Sequence, residues 1–393
     1  MPQEILNYFL PPAIRFGVGA IETLDAYVGS LNLAKPLVVT DDGVTRAGIL
    51  AKTVAPLMKS GVDHAVFDAV QPNPTDINVM EGLAFYQQQG CDAVIAVGGG
   101  SVMDAAKAIR LLATHEPPLE NYYVDVGGAA RITTNLPPLI CVPTTAGTGS
   151  EVSQGAVITD TTGRTTEGWR KRAIVTPQNM ATLALLDPAL TVGMPPRLTA
   201  ATGMDAVTHA IEAYVATRYH PIAEGVALQA LKLLTKYLLR AYHTGSDIEA
   251  RSQMLIASAM AAFSFQKGLG AVHSLAHQLS PEADIPHGVA NAILLPYVMA
   301  FNMSHAKEGY AHIAAALGVD TSGMSMAEAA GAAIDEVRAL NKALGMPSGL
   351  GAAGLRRERI PKIAKDAMLD HCYKFNPRPC TEADMRQLYE AAF

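Results

Sequence analysis

Charge is scarce in this chain. Lys, Arg, Asp and Glu make up 17% of its 393 residues, and the formal net charge is −6. So little charge beside 49% hydrophobic residues excludes a disordered chain. A mildly acidic balance gives no electrostatic basis for binding nucleic acid or an anionic membrane. Cysteine is scarce too. Cys91, Cys141, Cys372 and Cys380 are scattered with no CxxC spacing, which excludes a disulfide framework and a thiolate zinc site and points to a reducing, cytoplasmic compartment. Long apolar runs are missing. Stretches such as "GVANAILLPYVMAF" are short and broken by proline, far from the ~20 apolar residues of a membrane span. The opening "MPQEILNYFLPPAIRFG" has no basic segment followed by an apolar run and a cleavage site, so no signal peptide is expected. The GxGxxG pattern and the GK[ST] phosphate loop are also lacking.

What is present falls into two halves. "PLVVTDD" (36–42), "AVFDAV" (65–70), "AVIAVGGGS" (93–101) and "PLICVPTT" (138–145) read as strands, and helical patterns alternate with them. Continuous apolar strands of this kind predict a mainly parallel, Rossmann-like α/β sheet covered on both faces. From about residue 190 the period changes. "LTAATGMDAVTHAIEAYVA" and the segments after it repeat apolar residues at i, i+3 and i+4, which predicts an all-helical second domain. Turns in "DPALTVGMPP" place the boundary between 1–190 and 191–393.

Two small-residue loops follow strands in the first half. "GGGS" (98–101) leads into a helix, where glycine lets backbone N–H groups approach a phosphate and the helix dipole assists. "TTAGTGSE" (144–151) is the second. Each alone is equally a tight turn; together they lie where open α/β sheets bind nucleotides. Asp41 and Asp42 end an early strand, where a carboxylate accepts from a ribose hydroxyl or caps a helix. Asp104 follows the glycines and is read as holding the loop or capping its helix.

The second half carries a histidine-rich constellation. Asp205 and His209 in "GMDAVTHA", and His273 and His277 in "VHSLAHQL", are i, i+4 pairs, so each pair shares a helix face. His287 follows Pro286 and is expected on a loop or helix start. Nitrogen and oxygen donors without sulfur suit Fe²⁺, Zn²⁺ or Mn²⁺. Five candidates exceed a four-ligand site that keeps a position open for substrate, so one of them has another task. Glu212 is expected as a salt bridge or cap.

These pieces resemble the iron-containing (group III) alcohol dehydrogenase family along essentially the whole chain: "VTDDG", "PNPT", "AVGGGSVMDAAKAI", "PTTAGTGSEV", "GMPPRLTAATGMDAVTHAIEAY", "GLGAVHSLAHQL", "PHGVANAILLP" and "NPRPCTEADM". The resemblance implies the dehydroquinate synthase-like architecture of a group III enzyme. It implies metal ligands Asp205, His209, His273 and His287, with Fe²⁺ or alternatively Zn²⁺, and it leaves His277 as a catalytic residue near substrate and nicotinamide. It implies NAD(P) in the cleft between the domains, with Gly98, Gly99, Gly100 and Ser101 at the pyrophosphate and Asp104 counted with the cofactor-binding residues. Asn73, Thr144, Thr145 and Thr148 lie around the cofactor, and Asp41 near the adenosine ribose favours NAD. The implied reaction is hydride transfer between NAD(H) and a small alcohol or aldehyde, in a homodimer or higher homo-oligomer. "LLATHE", "GGAARIT", "FQKGLGAVHSLAH" and "DHCYKFNPR" are similar to 4-hydroxybutyrate dehydrogenases; a short-chain alcohol or diol substrate of the lactaldehyde/1,2-propanediol type is the alternative, and a dehydroquinate synthase-type lyase a rival. Lys267 is expected to pair with a substrate carboxylate, and Cys372 to line the pocket. Two departures stand out. Ser280-Pro281 replaces a glycine pair, putting pocket shape and loop stiffness in question. The segment 161–175 is longer than the family's usual hairpin and carries the only Trp, Trp169; it either shapes the cofactor cleft or extends a surface turn, and Lys171 or Arg172 stands for the family's usual basic residue there.

Overall fold

The computed structural model describes residues 6–162 and 169–393. The chain divides into two units. One holds Phe9–Thr145 and Gly149–Gly193; the other holds Met194–Phe393, Ala146–Thr148 and the segment ahead of Phe9.

In the first unit, β1 (Ala13–Phe16), α1 (Leu24–Ser30), β2 (Pro36–Val39), α2 (Asp42–Arg46), α3 (Ile49–Lys59), β3 (Ala65–Phe67), α4 (Asp76–Gln89), β4 (Ala93–Gly98), α5 (Gly100–Leu112), β5 (Leu139–Pro143), β6 (Gly155–Asp160), β7 (Arg170–Val175) and β8 (Leu183–Leu186) follow in order. Six strands form one parallel sheet in the order β1-β8-β5-β4-β2-β3. Side chains alternate across a strand. Val94, Ala96, Leu139 and Cys141 accordingly enter one core, and Ile95, Val97, Ile140 and Val142 the other. Burial on both faces explains the unbroken apolar strands of the sequence. The segment after the second loop forms a separate antiparallel hairpin, β6 against β7.

The second unit is helical: α6 (Pro196–Val215), α7 (Pro221–His243), α8 (Ile248–Ser264), α9 (Ala271–Ala283), α10 (His287–Ala316), α11 (Met326–Ala343), α12 (Ile360–Ala367) and α13 (Glu382–Ala391). The division falls at 193/194 rather than 190/191. Asp187 explains the difference. It caps the turn at Pro188–Thr191 through the Ala189 N–H (3.0 Å) and also accepts from the Ile21 N–H (3.2 Å), which fastens that turn to the first unit. Pro195 and Pro196 then start α6. No single helix among the described residues is long and apolar enough to cross a membrane.

Candidate active site

Helix α6 places Asp205 and His209 on one buried face, α9 brings His273, and α10 begins at His287. The four side chains converge. The Asp205 Oδ1 atom lies 3.7 Å from His209 Nε2, 3.8 Å from His273 Nε2 and 3.5 Å from His287 Nε2. Donors about 2.1 Å from a tetrahedral cation stand about 3.4 Å apart, so this spacing fits one small divalent ion. The donors of Asp205, His273 and His287 lie mutually within 4.8 Å, while His209 joins through Asp205 and by stacking on His273 at 4.7 Å.

The surroundings support the same reading. Asn291, one turn into α10, donates its Nδ2 to Asp205 Oδ1 at 2.7 Å, and that nitrogen is 3.1 Å from His287 Nε2 and 3.4 Å from His273 Nε2. One neutral amide thus faces a carboxylate oxygen and two imidazole nitrogens, which with their protons removed form a set that a cation satisfies better. Burial, together with the neighbouring His273, lowers His209 to about 4, which leaves a neutral imidazole with a free lone pair. Burial opposes the charged form of His273 as well, but the Asp205 and Glu212 carboxylates outweigh it and raise it to about 9. Burial also opposes ionisation of Asp205, yet the three histidines hold its carboxyl well below the usual range.

Glu212 does both things expected of it. Its Oε2 accepts from His273 Nδ1 at 2.6 Å, and its Oε1 accepts from the Val272 N–H at 2.7 Å in the first turn of α9. The carboxylate thereby fixes the His273 tautomer and aims Nε2 at Asp205. Gly270 is needed here, because a Cβ would stand 2.7 Å from Glu212 Oε1.

The fifth candidate, His277, takes a different partner. Its Nδ1 lies 2.8 Å from Asp370 Oδ2, and its ring stacks on His287 at 5.2 Å. Cys372 is buried beside this pair, with the polar atoms of His277, Asp370 and Cys372 mutually within 4.8 Å. Burial pushes the Cys372 thiol well above its ordinary value, which keeps it neutral.

Lys267 requires a correction. Its Nζ donates to the Tyr214 carbonyl at 2.7 Å and pairs with Glu224 at 2.8 Å, and the residue is 5% exposed. The ammonium is consumed by the protein, so it is neither a surface lysine nor a free cation for a substrate carboxylate. Glu224 lies on α7, outside the motif that made Lys267 conspicuous.

The replaced glycine pair has a definite structure. Helix α9 continues through Ser280 and Pro281 to Ala283 and ends at Asp284 in the left-handed region. The Ser280 hydroxyl donates to the Ile285 carbonyl at 2.9 Å, and Glu282 pairs with Arg359 and Lys362. "SPEAD" is a helical turn and cap, pinned at both ends, that delivers His287 to the start of α10.

In the first unit, α5 starts directly behind β4, with Gly99 as N-cap. A Cβ on Gly98 would meet Val102 Cγ2 at 2.6 Å, and one on Gly99 would meet Thr145 Oγ1 at 3.2 Å. The Thr144 N–H donates to the Gly98 carbonyl at 3.0 Å, so the two loops are laced side by side, with Ser101 in the first turn of α5. Asp104 is engaged by the protein: it accepts from the Ser150 hydroxyl at 2.7 Å and from the Val157 N–H at 3.0 Å. Both of its oxygens are thus taken by the protein, where they hold the second loop and the start of β6. Lys107, missed in the sequence, completes this support from inside, donating to the carbonyls of Ser150, Ser153 and Gly155 at 2.7–3.0 Å. Thr148 groups with the helical unit. Asp41 caps α2 through the Val44 N–H (2.8 Å), and Asn73 sits in a turn at φ 55.

Of the hairpin, residues 163–168 lie outside the described residues, and Trp169 is 63% exposed. Arg172 pairs with Asp125 and Asp160 and covers the Tyr123 ring. Burial raises the Asp104 carboxyl above its ordinary value, opposed chiefly by Lys107 and least by Lys171.

The fold and donor set define a class: an α/β unit with glycine loops behind parallel strands, joined in one chain to a helical unit with a buried cluster of nitrogen and oxygen donors. Family models agree with it. Residues 11–188 match iron-containing alcohol dehydrogenase, and residues 199–393 match the C-terminal part of the Fe-containing alcohol dehydrogenase family. The chain belongs to the iron-containing alcohol dehydrogenase family and is an oxidoreductase. It is 39% identical to the NAD-dependent methanol dehydrogenase of Bacillus methanolicus, over 98% of this chain and 99% of that one. It is also 39% identical to the 4-hydroxybutyrate dehydrogenase of Cupriavidus necator, over 96% and 97%. The crystal structure of a 1,3-propanediol oxidoreductase superposes with a TM-score of 0.94 at 39% identity, over 99% of this chain and all of that one.

Proposed function

We propose that the chain is an NAD-dependent dehydrogenase of small primary alcohols, working equally as an aldehyde reductase, with a divalent metal on Asp205, His209, His273 and His287. The convergence of three imidazoles on one buried carboxylate oxygen at 3.5–3.8 Å carries this reading. Fe²⁺ is the native metal in this reading, in keeping with the family, and Zn²⁺ suits the same donors. A cation held there supplies Lewis-acid stabilisation of the alkoxide character that develops as hydride leaves carbon. Asp205 neutralises part of its charge, and Glu212 keeps His273 in the ligating tautomer. Gly98–Ser101 and Thr144–Thr145 give the cofactor's pyrophosphate backbone N–H groups and a helix N-terminus. The carboxylate of Asp41 favours a free ribose hydroxyl over a 2′-phosphate, hence NAD. His277 is the catalytic base: its Nε2 takes the hydroxyl proton and returns it to solvent.

Among substrates, 4-hydroxybutyrate and short-chain alcohols or diols are the two readings, and relatives of both kinds stand at similar identity. With Lys267 consumed by Glu224, the residue that set the hydroxy acid apart no longer supports it, and we favour the uncharged alcohol or diol. The deciding experiment is a panel of C2–C6 alcohols, diols and ω-hydroxy acids, with NAD and with NADP, on protein reconstituted with Fe²⁺ or Zn²⁺. The expected result is highest kcat/KM for uncharged substrates with NAD; preference for an ω-hydroxy acid, or for NADP, would overturn that part.

We also propose a homo-oligomer in the cytoplasm. The edge strand β1 is exposed along its length with Ile14 and Phe16 outward, and Leu10 and Val18 flank it, an apolar edge that a second copy would cover. All four cysteines are free, as a reducing compartment requires. Light scattering of the purified protein checks the first point: a monomer at micromolar concentration would contradict it.

A further inference from the structure

The turn after α12 contains a carboxylate that no part of the hydride-transfer reading uses. Asp370 has a side-chain exposure of 8% and no Lys or Arg ion pair among the described residues. Three donors hold it: His277 Nδ1 at 2.8 Å on Oδ2, and the Ser274 hydroxyl at 2.9 Å and the Cys372 N–H at 2.7 Å on Oδ1. The Ser274 oxygen in turn accepts from the Tyr373 N–H at 2.8 Å. Ser274 and His277 share α9, so the carboxylate clamps the helix that carries the catalytic imidazole.

We propose that Asp370 is a positioning residue for the redox reaction, acting through His277. The proposal rests on His277 being the proton carrier. Asp370 accepts only, so it obliges His277 to carry its proton on Nδ1 and to present a bare lone pair at Nε2. When the alcohol's C–H hydride passes to the nicotinamide, the O–H proton passes to Nε2 and the O–H electron pair becomes the second C–O bond of the aldehyde. The ring is then a cation with both nitrogens protonated, facing the Asp370 carboxylate. The proton leaves from Nε2 to water, and Asp370 never takes it. The orienting acid of a serine-protease triad does the same for its histidine.

The site itself selects the informative variant. The Cys372 N–H is fixed in the backbone and needs an acceptor at the Oδ1 position. In Asp370→Asn the amide oxygen takes that place, and the NH₂ group turns towards His277. Nδ1 must then accept, the ring proton moves to Nε2, and the base is lost although shape is kept.

The experiment uses the full-length, metal-loaded enzyme. For Asp370→Asn the expected result is kcat lower by about 10²-fold or more, the size of a general-base contribution. KM and metal content should stay within about threefold, a range set by counting small second-partner effects as negligible. The solvent deuterium isotope effect should rise, and the effect of a deuterated alcohol carbon should fall. In a His277→Ala background the same substitution should change nothing further. Ser274→Ala, which leaves the Asp370–His277 bond intact, should lower kcat a few-fold in the wild type and not at all in His277→Ala; it serves if Asp370→Asn does not fold. Losses that multiply with His277→Ala, or unchanged isotope effects, would make Asp370 a purely structural clamp and overturn the inference. His277→Ala with undiminished kcat would instead fail the proton-carrier reading itself, a result visible in the single variant.

Discussion

The candidate metal centre and the glycine loops proposed for the cofactor are built on opposite principles. The candidate metal centre in α6, α9 and α10 consists of side chains whose polar atoms converge on one oxygen; Glu212 holds the far end of His273, and Asn291 donates to the shared oxygen itself. The loops behind β4 and β5 present backbone and owe their shape to side chains that are missing, as at Gly98 and Gly99. A convergent side-chain site fails when one donor is removed. A backbone site fails when something is added. Removing a donor and adding bulk test that difference from opposite sides.

The largest effect is expected from removing a donor. His287→Ala or Asp205→Ala should abolish stoichiometric metal and lower turnover by about 10³-fold or more, the several kcal/mol of Lewis-acid stabilisation. Metal analysis beside steady-state rates checks it, and NAD binding should be untouched. Glu212→Gln should leave all four donors and weaken metal affinity by roughly 10–100-fold through a misaimed His273, measured by chelator competition. Adding bulk should act in the other unit only. Gly99→Val should raise KM for NAD by about tenfold, the loss of about one charged hydrogen bond, with metal content unchanged. A change in metal content would blur the comparison.

A separate effect concerns the stability of the first unit. Glu151, in the second loop, is buried, and its Oε1 has no hydrogen-bond partner. Burial raises its carboxyl to about 7, although a backbone hydrogen bond and Lys107 oppose this. Its folded-state value is raised above the unfolded one, so its contribution is full below about 4.5 and is lost as pH rises through about 7. Glu151→Gln should flatten that fall, worth at most about 3 kcal/mol, in urea unfolding followed between pH 5 and 8. An identical pH slope in the variant would assign the fall to other groups.

Much of this was legible in the sequence, for physical reasons. Strands buried on both faces write continuous apolar runs, so β2 to β5 stood out. Pairs at i, i+4 on a helix write their shared face directly, so Asp205 with His209 and His273 with His277 could be grouped before any coordinates. Asp370 and Asn291 could not, because an ordinary polar residue in a turn or an apolar helix shows no period that names its partner. Asp370 lies 93 positions from His277. The clue available was "DHCYKFNPR", quoted for its resemblance but not for its chemistry. Lys267 misled for the same reason: its partner Glu224 belongs to another helix, and a lysine in an unusual place does not announce what has already claimed it. Strand β1 was passed over because an exposed four-residue edge has no apolar pattern to distinguish it from a loop.

The division of labour among the five ligand candidates is the central claim, and metal content measures it most directly. Wild type, His277→Ala and His287→Ala are to be stripped, reloaded with Fe²⁺ or Zn²⁺ and analysed for metal per chain. The account predicts about one ion per chain in the first two and a loss in the third, with turnover lost in both variants. Metal lost from His277→Ala, or kept by His287→Ala, would contradict it.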